Sequence, residues 1–509
     1  MKNLLLFVSA CFALILSASS SAQIQPGLDP TFGDGDGYVI TSDGSEYGNG
    51  SLTGIAIQPD GKILAVGGEA IRYNIIGGID STFGTNGISD EVNGVTLELL
   101  PNGQIIVLEF PMWDIYHVMI TRLNSNGSKD ISFGSNGTTD TVYVNHAKAV
   151  LLSQPDGKIL LFFSHDVLVE NVGMREELAI MRYLPDGTLD ADFGSGGTLS
   201  YALHSGTDYT TTVAGAAFTP DGKIVVGGQT YSDELGRDAW YATRLLPDGN
   251  LDTSFNHTGM AYVPLDYCKA VAVQPDGKII LGGYNLFNPN NVVPFLLARF
   301  NMDGSLDTGF DSTGIADFQW EAGSENKLRD IALQPDGKIL MAGRAMNPVT
   351  QQYDFALTRS LPNGQPDNNF GNDGQLLTSI RLRRDDIFDI AIDNVGKIIA
   401  VGSAAHDNDN YEDWTIARYL PDSTTGLQEA AIYQDAVWLY PNPAGEAIHI
   451  QNTTDYKIIL TDIYSITGRQ ITASTGNTLS VKNIAPGAYI AAIHLSNHTV
   501  IYRQFIIHH

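Results

Sequence analysis

Cysteine is close to absent, with only Cys11 and Cys268 among 509 residues. Cys11 lies in an N-terminal apolar run expected to be removed. A lone Cys268 forms no intramolecular disulfide, so packing and hydrogen bonding must hold the fold. Basic residues are scarce, 29 against 57 acidic, and the net charge of -28 repels phosphate backbones and anionic membrane surfaces. Nucleic acid is therefore not expected as a partner. Charged residues of both signs reach only 17%, too few for a body of long surface helices. Past the N-terminal run no apolar stretch is long enough to cross a bilayer as a helix, so no transmembrane segment is expected in the mature chain. Signatures of chemistry are missing as well. There is no Gly-x-Ser-x-Gly elbow, His-Glu-x-x-His helix, P-loop or dinucleotide fingerprint, and the eleven histidines show no ligand spacing. No cofactor is indicated.

What is present is glycine, 53 residues, in a chain that is 43% hydrophobic, which points to a packed body of short strands and tight turns. The chain opens with Lys2, an apolar run from Leu4 to Leu16, and small residues ending at Ala22, the pattern of a signal peptide over residues 1–22. Val8-Ser9-Ala10-Cys11 resembles a lipobox. Because Phe12 to Leu16 continue the apolar run where a lipoprotein turns polar, cleavage is expected after Ala22 instead.

Three markers then recur seven times each. The first is a hairpin turn, Pro-Asp-Gly-Lys at Pro59, Pro155, Pro220, Pro275 and Pro335, with degenerate copies at Pro101-Asn102-Gly103-Gln104 and Asn394-Val395-Gly396-Lys397. The second is an Asp followed three residues later by Phe, at Asp29, Asp80, Asp130, Asp190, Asp252, Asp307 and Asp367. The third is an Arg ending an apolar stretch, at Arg72, Arg122, Arg182, Arg244, Arg299, Arg359 and Arg418. Six of these Arg residues precede an Asp by eight positions, whereas Arg418 has no such Asp and Asp29 no such Arg. The two orphans complement each other, so the N-terminal turn is expected to complete the last unit and close a ring. The intervening stretches read as about four antiparallel strands per unit. The predicted fold is all-β, a seven-bladed β-propeller followed by a small C-terminal β-sandwich.

Leu251-Asp252-Thr253-Ser254-Phe255, Gln274-Pro275-Asp276-Gly277-Lys278 and Ala298-Arg299-Phe300-Asn301 resemble the delta-60 repeats of bacterial exported proteins. That resemblance covers roughly residues 27–422 and implies a propeller-like architecture without naming a substrate. The repeats stop at Asp422, a linker follows over 423–435, and alternating segments then suggest a β-sandwich over 436–509. The Tyr440-Pro441-Asn442-Pro443 entry, the turn from Tyr464 to Gly468, and Gly487-Ala488-Tyr489 resemble the type A C-terminal sorting domain of the Por, or type IX, secretion system. The resemblance implies a Bacteroidota-type cell, the type IX machinery as a partner, and a protein released or held at the outer-membrane surface. The domains expected are thus a signal peptide over 1–22, a repeat body over 23–422, the linker, and the sorting domain.

An Asp repeated in every unit at a turn is expected to hold that turn, not to form a carboxylate ring. The Arg residues, and Trp240, Phe295, Phe355 and Trp414 four positions before four of them, are expected to fill the space between sheets. Two irregular clusters, Asp34-Gly35-Asp36-Gly37 and Asp407-Asn408-Asp409-Asn410, offer oxygen ligands of the kind Ca²⁺ takes, but neither matches a full calcium loop and both read as solvated loops. The hairpin and the Arg-to-Phe turn emerge on one face and vary little, so the variable connections on the opposite face are where binding is expected. Trp113, Tyr209 and Trp320, read as exposed aromatics, and Asp407 and Asp409 are the candidate contacts there. Two functions remain open at this point: a binding or scaffold module for extracellular glycan or protein, and a hydrolase or lyase acting on an extracellular polymer.

Overall fold

The computed structural model of the chain describes residues 27–42, 50–111, 116–145, 148–170, 173–207, 209–286, 292–323, 325–406, 411–421, 437–441, 444–452, 457–465, 470–495 and 500–508. The proposed signal peptide and the linker over 423–435 lie outside these residues. Unit five shows the repeated pattern. Strand a (Tyr267–Val273), b (Ile279–Tyr284), c (Phe295–Phe300) and d (Ile315–Phe318) form an antiparallel sheet in that order. Between a and b lies the Pro-Asp-Gly turn, whose glycine must take positive φ. All seven copies do so, from +80° at Gly61 to +86° at Gly396, and the degenerate Gly103 sits at +83°. Replacing Asp by Asn102 in one degenerate copy, and Pro-Asp by Asn394-Val395 in the other, therefore leaves the turn intact.

Unit seven has only three strands of its own, Asp385–Ile392, Ile398–Ala405 and Glu412–Tyr419. Its fourth is the N-terminal strand Tyr38–Thr41, which pairs antiparallel with the third, Tyr38 opposite Ala417 and Thr41 opposite Trp414. Asp29 lies beside Arg418, as the orphan markers require, with Nε to Oδ2 at 2.7 Å.

Units one and two depart from the expected separate four-stranded sheets and share one six-stranded sheet. The strand Ile88–Leu99 runs unbroken, its start pairing with Ala70 and Ile71 of unit one and its end with Ile105–Leu108 of unit two. Asn93-Gly94 lies between the two roles and the pairing shifts register there, but the strand does not turn back. Gly94 makes the continuity possible, since a Cβ there would meet Val107 Cγ1 at 2.4 Å and Val66 Cγ2 at 2.6 Å. The Gly67-Gly68 connection is so short that Ile63–Tyr73 is likewise one strand.

The apolar cores lie between neighbouring sheets. Leu297 and Phe318 of unit five pack with Leu328 and Met341 of unit six. Phe32, Ile63 and Tyr73 at the start of the chain pack with Val401 and Trp414 of unit seven. Strand a of each unit touches strand a of the next: Gly54–Ile57 touches Ile88–Leu99, followed by Ala149–Ser153, Thr212–Phe218, Tyr267–Val273, Lys327–Leu333 and Asp385–Ile392, which returns to Gly54–Ile57.

The tail has a three-stranded sheet (Val437–Tyr440, Ala447–Asn452, Thr478–Ser480) and a four-stranded one (Gln470–Ser474, Ile458–Ser465, Gly487–Leu495, Val500–Ile507). Its own core draws on both, from Val437 and Ile448 to Ile463, Ile493 and Phe505. Among the described residues no helix is long and apolar enough to cross a membrane.

Candidate functional site

Antiparallel order puts the a–b and c–d turns of every unit at one end and the b–c and d–a connections at the other. The first end is uniform. In each unit the Arg of strand c donates from Nε to the Asp eight positions on, or to Asp29 for Arg418; five of these contacts are Arg72–Asp80 at 2.8 Å, Arg182–Asp190 and Arg244–Asp252 at 2.7 Å, and Arg299–Asp307 and Arg359–Asp367 at 2.8 Å. The guanidinium also lies over the Phe of the same marker, 4.3 Å from the Phe193 centroid and 4.8 Å from that of Phe255. Its Nη1 reaches into the next unit: Arg72 to the Ser125 carbonyl at 2.7 Å, Arg299 to the Pro362 carbonyl at 2.5 Å, and Arg418 back to the carbonyl of Ile75. The Asp, through its other oxygen, accepts the backbone N–H two residues on, as at Ser254, 3.1 Å. Burial raises the Asp80 carboxyl, but hydrogen bonds from Thr82, then Lys62 and Arg72, pull it down to about 2. Trp240, Phe295, Phe355 and Trp414 are buried in the cores. This end is saturated with internal partners and has little left to offer a ligand.

The other end is irregular. Strand a starts there, and in five units the pairing slips across one residue: Val95, Ala214, Lys269, Arg329 and Phe388. A bulged residue leaves the ladder and its side chain is re-aimed. Lys269 and Arg329 are thereby gathered with Lys148, at the head of strand a in unit three. Arg329 grips Asp386 of unit seven, Nη2 to Oδ2 at 2.6 Å and Nε to Oδ1 at 3.3 Å, and buried Arg344 reaches the same Oδ2 at 3.1 Å. Phe388 lies under the Arg329 guanidinium at 4.6 Å. Lys269 Nζ stands 5.7 Å from the Tyr267 centroid and 5.6 Å from that of Tyr284, two rings stacked 5.2 Å apart. Burial, then the facing charges of Lys148 and Arg329, pull the Lys269 ammonium down to about 7. Lys148 is lowered chiefly by burial.

Carboxylates of strand a have a different task. Innermost strands are sheet edges with unpaired N–H groups. Glu98 accepts the Ser153 N–H at 2.7 Å, Asp330 the Ile390 N–H at 3.2 Å, and Asp389 the Ile55 N–H at 2.9 Å, each crossing to the next unit. Burial, then the adjacent Asp330 carboxylate, pushes Asp389 well above the usual range, and burial raises Asp330 as well. Each thereby caps the edge of a neighbouring inner strand.

Of the contacts expected from the sequence, Trp113, Asp407 and Asp409 lie outside the described residues. Tyr209 stacks on Tyr231 at 3.8 Å and 7° and lines a depression of about 240 Å³ with Gln229, Thr230 and Asp238. Trp320 corrects the expectation of an exposed aromatic: it is 6% exposed and packs edge-on against Phe295 at 5.3 Å, leaving only its rim on a depression of about 190 Å³ beside Met346 and Pro348. It sits two residues after buried Phe318, on the same side of the extended chain, and follows it into the core. Asp34 and Asp36 are exposed around a one-turn 3₁₀ segment, Gly33–Gly35, and no group of three or more His, Cys, Asp or Glu is placed to hold a metal among the described residues. The cationic cluster was not singled out from the sequence. Its trace there is that units five and six carry Lys269 and Arg329 where units one, two, four and seven carry Thr53, Val95, Ala214 and Phe388.

The family model described as a domain of unknown function (DUF5122) beta-propeller matches residues 219–255, 274–310, 334–370 and 396–425, and the secretion system C-terminal sorting domain matches 438–508. Both resemblances read from the sequence are thereby borne out, and the tail marks an exported surface or secreted protein. No curated protein matches the chain. Similar solved structures include the extracellular domain of a protein assigned as a hybrid two component system from B. thetaiotaomicron (11% identity, TM-score 0.40, 93% of this chain covered), of which the chain spans only 57%. A catalytically inactive virginiamycin B lyase from Staphylococcus aureus is 10% identical, with a TM-score of 0.39 over 75% of this chain and 99% of that one. An ulvan lyase of a polysaccharide lyase family is 11% identical, with a TM-score of 0.42 over 79% of this chain and 95% of that one. At such scores none of their activities transfers.

Proposed function

From a chain that carries DUF5122 beta-propeller repeats and a secretion system C-terminal sorting domain, we propose an exported binding or scaffold module for an extracellular glycan or protein. In this reading residues 23–422 close as a seven-bladed β-propeller, 423–435 is a linker, and 436–509 is a β-sandwich that engages the type IX machinery. Cleavage after Ala22 and export leave the protein secreted or at the outer-membrane surface. Ring closure is supported by the circuit of strand a contacts and by the N-terminal strand in unit seven. The observation that carries binding is the contrast between the two ends: one saturated by Arg–Asp–Phe contacts, the other gathering Lys148, Lys269, Arg329 and Asp386 from four units. A second reading, a lyase or hydrolase of an extracellular polymer, draws on one feature, an amine held near neutrality beside another amine.

Glycan and protein arrays probed with the purified protein should yield a saturable ligand. Substitution of Tyr209 or Lys269 by alanine should weaken its binding by more than about 1 kcal/mol. An equal loss from Asp276→Ala in a hairpin turn, with folding intact, would place the contact on the wrong face. Release of new chain ends from a captured polymer would favour the enzyme.

A further inference from the structure

We infer that the cationic cluster at the variable end is an oxyanion subsite that takes the carboxylate or sulfate of an acidic polysaccharide. The inference rests on the binding reading above and adds the ligand's chemistry. The geometry is costly without a ligand. Lys148, Lys269 and Arg329 come from three sheets, and Lys269 is turned toward the other two by a bulge. Asp386 is already engaged by both Arg329 and Arg344, and Glu325 meets Arg344 at 3.4 Å, so these two carboxylates are taken up by the guanidiniums. The charges facing Lys269 are the cations Lys148 and Arg329. Half-buried like charges repel more strongly than surface ones, because less water screens them. An incoming oxyanion would supply the missing countercharge through charge-assisted hydrogen bonds. The rest of the chain argues for placement, not general stickiness: with a net charge of -28, an anion is repelled by most of the surface and attracted here. A saccharide is favoured over an acidic peptide by the half-buried Tyr267 ring beside the ammonium, which core residue Tyr284 backs at 5.2 Å, since aromatic groups pack on the apolar faces of sugar rings.

The test uses the purified protein with polygalacturonate, dextran sulfate, neutral dextran and polyglutamate as probes in calorimetry. Polygalacturonate or dextran sulfate should bind and neutral dextran should not. K269Q and K148Q should each weaken binding about tenfold. Both remove a repulsion, so their melting temperatures should equal or exceed the parent's, which separates lost binding from lost folding. Polygalacturonate affinity should fall as pH rises through about 7, as Lys269 loses its proton, and K269Q should lose that dependence. The groups facing Lys269 are Lys148, Arg329, Tyr267, Tyr284 and Cys268, whose thiol burial pushes up to about 12. Unchanged affinity in both variants, or a preference for polyglutamate, would overturn the inference. If the arrays yield a neutral ligand while both acidic polymers fail, the oxyanion subsite falls and the binding module stands.

Discussion

Asp29→Ala should destabilise the repeat body by about 3–5 kcal/mol, read as a lower urea midpoint, because it strips the countercharge from two buried cations. Asp29 Oδ2 accepts from Arg418 Nε and Lys397 Nζ, both at 2.7 Å, and Oδ1 takes the Thr31 N–H at 2.9 Å and hydroxyl at 2.7 Å. Asp29 is 1% exposed. In the variant Arg418 and Lys397 lose the carboxylate they share, and Arg418 keeps only uncharged acceptors, the Ile75 carbonyl and the Thr31 hydroxyl. A loss below about 1 kcal/mol would mean that the N-terminal turn is not seated on unit seven. The same contact gives a pH signature. Burial pushes the Asp29 carboxyl up, but Arg418, Lys397 and Thr31 outweigh it and hold it well below the usual carboxylate range. A carboxyl depressed in the folded state contributes stability that is complete above its unfolded value, near 4, and is lost as pH falls toward its folded one. With Asp80 at about 2 by the same logic, the parent should lose stability steeply below about pH 4. Asp29→Ala should show a shallower loss.

Deleting residues 436–509 should abolish appearance at the surface or in the medium and leave a folded repeat body in the periplasm. The tail matches a sorting domain over 438–508 and has its own core, from Val437 to Ile507, so its removal uncovers none of the cores between the repeat sheets. Fractionation with limited proteolysis reads both halves of the expectation: protease-resistant protein inside and none outside. Normal secretion of the truncated chain would remove the tail from the export route.

The repeat was legible because its markers are local. A glycine forced to positive φ and an Asp two residues before the N–H it accepts are decided within a few positions of chain, and every copy adopts the same turn. The complementary orphans, Arg418 and Asp29, were legible as arithmetic. Their ion pair, and the reach of Arg418 to the Ile75 carbonyl, join the two ends of the repeats and show only in three dimensions. The six-stranded sheet of the first two units was not visible, because Asn93-Gly94 reads as a turn and only the close approach that Gly94 allows shows that the strand runs through it. Trp320 was misread as exposed although its spacing from Phe318 puts both on one side; position after a short strand suggested a loop, and packing decided otherwise. The cationic cluster was least legible. Lys148, Lys269 and Arg329 are separated by scores of residues, and each alone reads as an ordinary surface charge until the bulged inner strands bring them together.

Joining the N-terminal strand to the last unit by a disulfide tests closure most directly. Val39 and Ile416 are direct partners in the antiparallel pairing, and such partners have Cα atoms within disulfide range. Cys268 is buried and will not compete. The variant with Val39→Cys and Ile416→Cys, oxidised while folded and monomeric, is predicted to form an intramolecular bond that shifts its non-reducing mobility. Free thiols at both positions in the folded monomer, or bonds formed only between molecules, would contradict a closed ring.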